Sequence, residues 1–422
     1  MKKRIIAGCL AALVVLGGCQ KAETKAPEPE AAETFEETEE KKEEETEAVL
    51  ITPEETESET GDAAEKPEMT VESKGHAFDY TVENHLEETF AKDDPSVQLT
   101  SLSWDTIAIN RPGCEALSET IAIWNADVEN RLKNEEMVSS AEESYEEMKD
   151  YWTPMTFEDS VSVMRFDDLV FSFQADSYMY TGGAHGDTGI GGYSYKVSDG
   201  TALTYDELFT DRAAIDKKAS EYLKDVLVKK YTTEDGLMMF DGWESELDNY
   251  LKEPEWLLNG YGLQYMIGYY VLGPYAMGNS IITIPYTELK GILKEEYMGS
   301  SDRFTYRFEP GETLTVDDSG NQLSALYETD YSNDTFTAKL TLQFGEEALV
   351  LDQGVEVYPV LWVVKESPDA VFVLVERKDD YEAETVTHTV YRLNGAFVQV
   401  EELQERAVTS PAEVELIVDG VQ

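Results

Sequence analysis

Residues 160–175 read Ser-Val-Ser-Val-Met-Arg-Phe-Asp-Asp-Leu-Val-Phe-Ser-Phe-Gln-Ala. Val161 and Val163 alternate with serines, and Leu169, Phe171 and Phe173 alternate on the far side of Asp167-Asp168. A period of two is the signature of strands with one buried face, and a pair of aspartates between such runs marks a turn. The stretch predicts a β-hairpin with an aromatic inner face. Upstream, residues 97–109 suit a strand that Asn110-Arg111-Pro112-Gly113 interrupts. Residues 114 to about 149 then place Leu117, Ile121, Trp124, Val128 and Leu132 three or four apart, which predicts one long amphipathic helix.

Downstream of the hairpin, Ser198-Asp199-Gly200 closes a second one over residues 193–203. Thr204 followed by Glu207 reads as a capping box opening a helix, continued by Ile215, Ala219, Tyr222, Leu223, Val226 and Leu227. An aromatic strand around 261–272 and a strand at 281–286 lead to a short helix over 286–293. From 302 onward only strand patterns occur, with Asn394-Gly395 a strong hairpin turn. The expected fold is α+β: two small modules, at 71–190 and 191–298, followed by a β-sandwich or barrel-like module at 299–422.

The N-terminal segment is of another kind. Lys2-Lys3-Arg4, an apolar run from Ile5 to Leu16, and Gly17-Gly18-Cys19 form a secretory leader that resembles the bacterial lipoprotein signal. The run is shorter than the roughly 20 residues a membrane span needs. The expectation is cleavage after residue 18, lipid on Cys19, and attachment outside the cell to the membrane. Residues 19–70 are rich in Glu, Thr, Ala and Pro and nearly free of aromatics, so they suit a solvated, disordered acidic tether.

The chain has 422 residues, 33 Lys and Arg, 87 Asp and Glu, and a formal net charge of −54. Such a balance argues against nucleic acid as a partner, because phosphate binding needs clustered cations. It favours a cationic partner, and equally suits solubility at a crowded surface. Of three cysteines, Cys9 lies in the leader, Cys19 is the lipid site, and Cys114 stands alone, which leaves no pair for an internal disulfide.

His185 is the strongest polar candidate, set in Tyr180-Thr181-Gly182-Gly183-Ala184-His185-Gly186 with Asp187 behind it. Dense glycines let a backbone take positive φ and approach a ligand closely. The imidazole suits ligand contact, a hydrogen bond that locks the turn, or proton transfer. With Tyr180, Gly182, Gly183 and Tyr275 it makes up the candidate ligand-binding set. His76, His85 and His388 show no metal spacing, and no zinc, phosphate-loop or nucleophile-elbow motif is present. Cys114 has no histidine partner, although a helix start lowers a thiol pKa. Asp317, Ser319, Asn321 and Glu328 fall at calcium-loop offsets, but Gln322 occupies the glycine position, which favours a turn. Tyr261, Tyr265, Tyr269, Tyr270 and Tyr275 suit either a core or a groove for sugar stacking. No catalytic residue, metal or cofactor is indicated.

Several of these segments occur in a familiar order. Tyr180 to Gly186, Asp199-Gly200-Thr201, Leu203-Thr204, Asp206-Glu207-Leu208-Phe209, Leu272-Gly273-Pro274-Tyr275-Ala276-Met277-Gly278 and Ile284-Pro285-Tyr286-Thr287-Glu288-Leu289 resemble the extracytoplasmic region of RsiV-type anti-sigma factors. The same modules precede the catalytic domain of PdaC-type peptidoglycan deacetylases. The resemblance spans about residues 75–295. It implies an α+β body with a non-catalytic role, binding host lysozyme in one group and accessory to cell-wall work in the other. The sigma-binding segment and transmembrane helix of the first group are missing here, as are the deacetylase domain and its metal motifs of the second. Three roles stay open: a surface lipoprotein binding a lysozyme-like protein or peptidoglycan, a wall-modifying hydrolase or transferase using His185, and a structural assembly protein.

Overall fold

The computed structural model describes residues 79–133, 135–233, 236–298, 302–316, 320–330, 337–353, 359–367, 369–378 and 385–406. Cys19, the acidic segment, and Asp317 and Ser319 of the calcium-like stretch lie outside them. The fold is α+β. Strands β1 (Tyr80–Phe90) and β2 (Gln98–Ile109) form an antiparallel pair, followed by helices α1 (Glu115–Leu132) and α2 (Glu135–Met148). The single helix expected over 114–149 is thus two. Lys133 turns out of helical geometry (ψ 28°) while its N–H closes the last turn on the Glu129 carbonyl.

The opening hairpin is β3 (Met155–Phe166) and β4 (Val170–Tyr180), and it organises everything else. Along one edge β3 pairs with β4 over its whole length, with a bulge between Val163 and Arg165. Its other edge is shared. Met155–Asp159 lie parallel to Thr100–Trp104 of β2, and Arg165 and Phe166 meet Tyr306 and Thr305 of β11 (Phe304–Phe308). Where those two neighbours splay apart, side chains substitute for strand partners. The Asp105 carboxylate accepts the Val161 N–H at 2.8 Å, and the Asn125 carboxamide bonds both backbone groups of Ile107 (3.0 and 2.8 Å). Buried backbone groups need such partners.

Strand β5 (Asp187–Lys196) completes this end of the sheet by pairing with β4. The capping box does not form. Thr204 instead donates to Glu207 (2.8 Å), within a 3-10 turn Tyr205–Leu208, and Glu207 reaches back to Lys196 on β5. Helix α3 (Arg212–Tyr231) starts later, capped by Asp211, whose carboxylate accepts from the Ala213 and Ala214 N–H groups. A two-residue ladder, β6 (Thr232–Thr233) and β7 (Gly236–Leu237), leads to α4 (Trp243–Tyr250). Strands β8 (Trp256–Leu258), β9 (Gly262–Ile267) and β10 (Ser280–Pro285) form a three-stranded sheet under α3. Ile215, Leu223, Leu227, Leu263 and Tyr265 share its core. The expected helix over 286–293 shrinks to a 3-10 turn, Tyr286–Glu288, and Gly291 at φ 78° ends any continuation.

Beyond position 299 the sheet runs on. Through β11 the hairpin sheet continues into β16 (Val360–Ser367), β17 (Ala370–Lys378), β18 (Thr385–Leu393) and β19 (Phe397–Arg406). A separate sheet, β12 (Thr313–Thr315), β13 (Gln322–Asp330), β14 (Thr337–Phe344) and β15 (Glu347–Gln353), packs on one face. Trp362, Val364, Phe372 and Leu374 join the core of Phe166, Phe171 and Phe173. Leu361, Val363, Val373 and Val375 point the other way, into the core with Leu340 and Leu342. Burial on both faces explains why β16 and β17 are unbroken apolar runs rather than alternating ones.

One buried ion pair ties the parts together. Arg165 and Asp167, at the hairpin turn, are both 0% exposed. Asp167 Oδ1 accepts the Leu169 and Val170 N–H groups at 2.8 Å each, which sets the turn. Its Oδ2 accepts from Arg165 Nε (2.7 Å) and from the Tyr306 hydroxyl of β11 (2.9 Å). Arg165 Nη1 donates to the Tyr286 hydroxyl (2.6 Å) and the Tyr297 carbonyl (2.9 Å). Burial alone would raise the Asp167 carboxyl, but the guanidinium and the two N–H donors outweigh it and hold it below the usual carboxylate range.

Candidate functional site

Two loops from different sheets meet at one end of the body. The first is the glycine-rich tip between β4 and β5. Gly182 and Gly183 sit at φ 102° and 103°, a region that only glycine adopts without strain. The Tyr180 hydroxyl donates to the Gly183 carbonyl (3.1 Å), and His185 Nδ1 donates to the Gly186 carbonyl (3.0 Å). Gly186 is buried, and a Cβ there would stand 2.4 Å from the Tyr178 ring and 2.7 Å from the Met179 carbonyl. The tip is therefore built tightly against β4.

The second loop, 268–279, joins β9 to β10. It is anchored by buried Leu272, whose carbonyl accepts the Phe240 N–H (2.9 Å), and it turns through Tyr275–Met277. From it Tyr275 stacks on His185 with ring centroids 4.7 Å apart and 21° between planes. Tyr269 stacks on Tyr275 at 4.7 Å and 23°, and Tyr270 tilts against Tyr275 at 6.0 Å and 40°. The result is a three-ring column with a fourth ring at its side. Tyr270 is 54% exposed, and at φ 61° it is the one non-glycine residue with positive φ among the described residues. Such a backbone costs on the order of 1–3 kcal/mol and persists only where its surroundings impose it. Crowding by the rings pushes the Tyr275 phenol up, and the neighbouring hydroxyls and the Asp187 charge add to the effect.

The structure brings His185 and Tyr275 into direct contact from positions 90 residues apart. Gly182, Gly183 and Tyr180 shape the tip rather than join the column. Sequence reasoning missed the separate parts played by Tyr269 and Tyr270. Tyr265 is fully buried beside Tyr205 and Tyr261 packs partly into the β-rich core, so the tyrosine run divides between core and ledge. Gly268 and the Gly273-Pro274 pair were the signals that the strand stops before those rings emerge.

The ledge offers aromatic faces, phenol hydroxyls, an imidazole and a carboxylate. Among the described residues, no hydrogen bond joins His185 to a carboxylate, and no group of three or more His, Cys, Asp or Glu side chains is placed to hold a metal ion. Cys114 is a buried cysteine at the start of α1, and the helix start does not activate it. Burial pushes its thiol up, with Arg111 opposing and Asp79 and Glu115 reinforcing the shift. Among the described residues, no helix is long and apolar enough to cross a membrane.

The fold and ledge together define an α+β body that displays an aromatic surface. Residues 28–188 match the model of a family described as deacetylase PdaC. Among solved structures, the chain is similar to a DUF3298 family protein from Pseudomonas aeruginosa, at 17% identity and a TM-score of 0.38, covering 52% of this chain and 96% of that one. It is likewise similar to a DUF3298 family member from Bacteroides fragilis, at 16% identity and a TM-score of 0.38, covering 53% and 96%. No curated protein matches the chain.

Proposed function

We propose that this chain is a non-catalytic binding protein of the bacterial cell exterior, held to the membrane by lipid on Cys19, that captures a wall-associated partner on the aromatic ledge. The observation that carries the reading is the column His185–Tyr275–Tyr269, exposed at His185 and half-buried at the two tyrosines, with exposed, strained Tyr270 beside it. Aromatic side chains presented at low entropic cost are the usual anchors of recognition surfaces. The net charge of −54 favours a cationic, lysozyme-like protein as the partner. Peptidoglycan is the second reading, supported by the family match over residues 28–188 and by the platform of rings.

Retention of lysozyme on the immobilised chain, at low and at moderate salt, tests the first reading. Lysozyme should be held at low salt, released progressively as salt rises, and lost with Tyr275→Ala. Failure to hold it at either salt overturns this partner, and co-sedimentation with insoluble peptidoglycan in its place supports the second. Lipid on Cys19 is checked by the mass of the membrane-extracted chain and its loss with Cys19→Ala.

A further inference from the structure

We infer that the ledge selects an arginine side chain of its partner, the guanidinium lying flat against the exposed rings and donating to the Asp187 carboxylate. The inference rests on the ledge being the recognition surface. Elsewhere in this molecule several aromatic rings are covered by the chain's own cations. Arg111 lies 4.1 Å from the Phe166 ring centre, Arg212 4.6 Å from Tyr205, and Lys133 4.7 Å from Trp104. Among the described residues, no such cation covers His185, Tyr269, Tyr270 or Tyr275.

The sequence explains why. No Lys or Arg occurs between Phe166 and Tyr195, or between Glu253 and Leu289, in a chain with 33 of them. Those two stretches contain both loops of the ledge, so the fold brings together two surfaces that lack cations. What they hold instead are acceptors. His185 has its Nδ1 hydrogen committed to the Gly186 carbonyl. In the neutral ring this leaves Nε2 as an acceptor. Asp187, exposed at the first position of β5 opposite Met179 and two residues beyond His185, supplies a carboxylate, and the phenol oxygens add further acceptors.

A ligand that matches must be cationic, flat and rich in donors. Guanidinium is planar, carries five N–H groups and is weakly hydrated, so it can stack and pair with a carboxylate at once. A lysine ammonium is compact and strongly hydrated, and it matches only the charge. A neutral glycan can stack but gains nothing from Asp187 or from the acidic field.

The test titrates the full chain with hexa-arginine, hexa-lysine and a neutral chitin hexamer. Moderate salt screens the diffuse acidic charge. Binding to the ledge is read as the difference between wild type and Tyr275→Ala, with circular dichroism confirming that the variant is folded at the assay temperature. The arginine peptide should bind about tenfold more tightly than the lysine peptide. The isosteric Asp187→Asn should remove most of that preference. Equal binding of both peptides, with Tyr275→Ala losing both, overturns the guanidinium assignment and leaves the ledge standing. Preference for the chitin hexamer overturns it too, in favour of a wall glycan. Unchanged binding in folded Tyr275→Ala and in Tyr270→Ala overturns the arginine assignment and the ledge together.

Discussion

Replacing Arg165 by Met tests the claim that one buried pair fastens the body. The guanidinium is 0% exposed and donates to three acceptors in three chain segments: Asp167 Oδ2, the Tyr286 hydroxyl and the Tyr297 carbonyl. Met fills similar volume but removes every donor. Asp167 then keeps the Leu169 and Val170 N–H groups and the Tyr306 hydroxyl, but has no countercharge. Breaking a buried pair from one side costs about 3–5 kcal/mol. The stranded Tyr297 carbonyl falls within that range rather than adding to it, since losses around one group are not additive. Because the Asp167 carboxyl is held below the ordinary range, its contribution is fully present at neutral pH and is lost only as pH falls through that depressed value. Urea unfolding followed by both circular dichroism and tryptophan fluorescence measures the loss. The double variant Arg165→Met/Asp167→Asn removes the stranded charge while keeping the turn's acceptor, so it should be more stable than Arg165→Met alone. A cost under about 1 kcal/mol for Arg165→Met, or a double variant that simply sums its singles, would refute the reasoning.

Three further perturbations address the ledge and its supports. Tyr270→Gly relieves the φ of 61° and should raise stability by about 1 kcal/mol while weakening partner retention; a variant that loses stability contradicts the strain. Gly186→Ala drives a Cβ into the Tyr178 ring and the Met179 carbonyl, so the tip should loosen and partner capture fall, with hydrogen exchange rising at 180–188 and not in β16 or β17. Burial, reinforced by the nearby Glu309 charge, pushes the Glu312 carboxyl up to about 8 from an ordinary 4.5. The folded state therefore favours the protonated form. That stability is complete below the unfolded value and is lost as pH rises through 8, by roughly 1–3 kcal/mol for this partly exposed group. Glu312→Gln should flatten the urea midpoint between about pH 5 and about pH 9, and an unchanged slope would dispose of the assignment.

The opening hairpin was legible because its apolar residues alternate and its turn is acidic, and the structure places β3 and β4 where that pattern puts them. Later strands such as β11, β17 and β18 were legible as apolar runs between turns, whereas β12, β13 and β15 were not. Nor was the start of α3 legible. Thr204 and Glu207 have the right spacing for a capping box, but Lys196 on β5 captures Glu207, a contact no local pattern announces. Asp211 caps the real helix and is as good a cap by type. The role of Arg165-Phe166-Asp167 was hidden too. A charged pair at a hairpin turn reads as solvent-facing, and only the arrival of Tyr286, Tyr297 and Tyr306 from far along the chain buries it. The ledge was half legible: glycines marked the His185 tip, and Tyr275 stood in a matching segment. Their contact depends on how two sheets pack, which no spacing within either segment records.

The strands beyond 302 bear on what the ledge can do, although they do not touch its rings. A surface that captures a partner must hold its geometry against the pull of that partner, and the β9–β10 loop is only as rigid as β10. The chain leaves β10 through Tyr286, whose hydroxyl receives from Arg165 and donates to the Asn259 carbonyl (2.7 Å). Arg165 is in turn fixed by Asp167, which Tyr306 of β11 helps to orient. β11 stays in place because it pairs with β16, a strand buried on both faces. Support thus runs from the double-sided C-terminal layer, through one buried pair, to the foot of the loop that carries Tyr269, Tyr270 and Tyr275. A fragment ending near 298 would retain every ring of the ledge and lose the Tyr306 hydroxyl and the strand that positions it. A fragment beginning near 300 would expose Trp362, Val364, Phe372 and Leu374, which pack into the core of Phe166, Phe171 and Phe173. The recognition surface and the β-rich region are for this reason parts of one mechanical unit, and partner capture belongs to the whole of it.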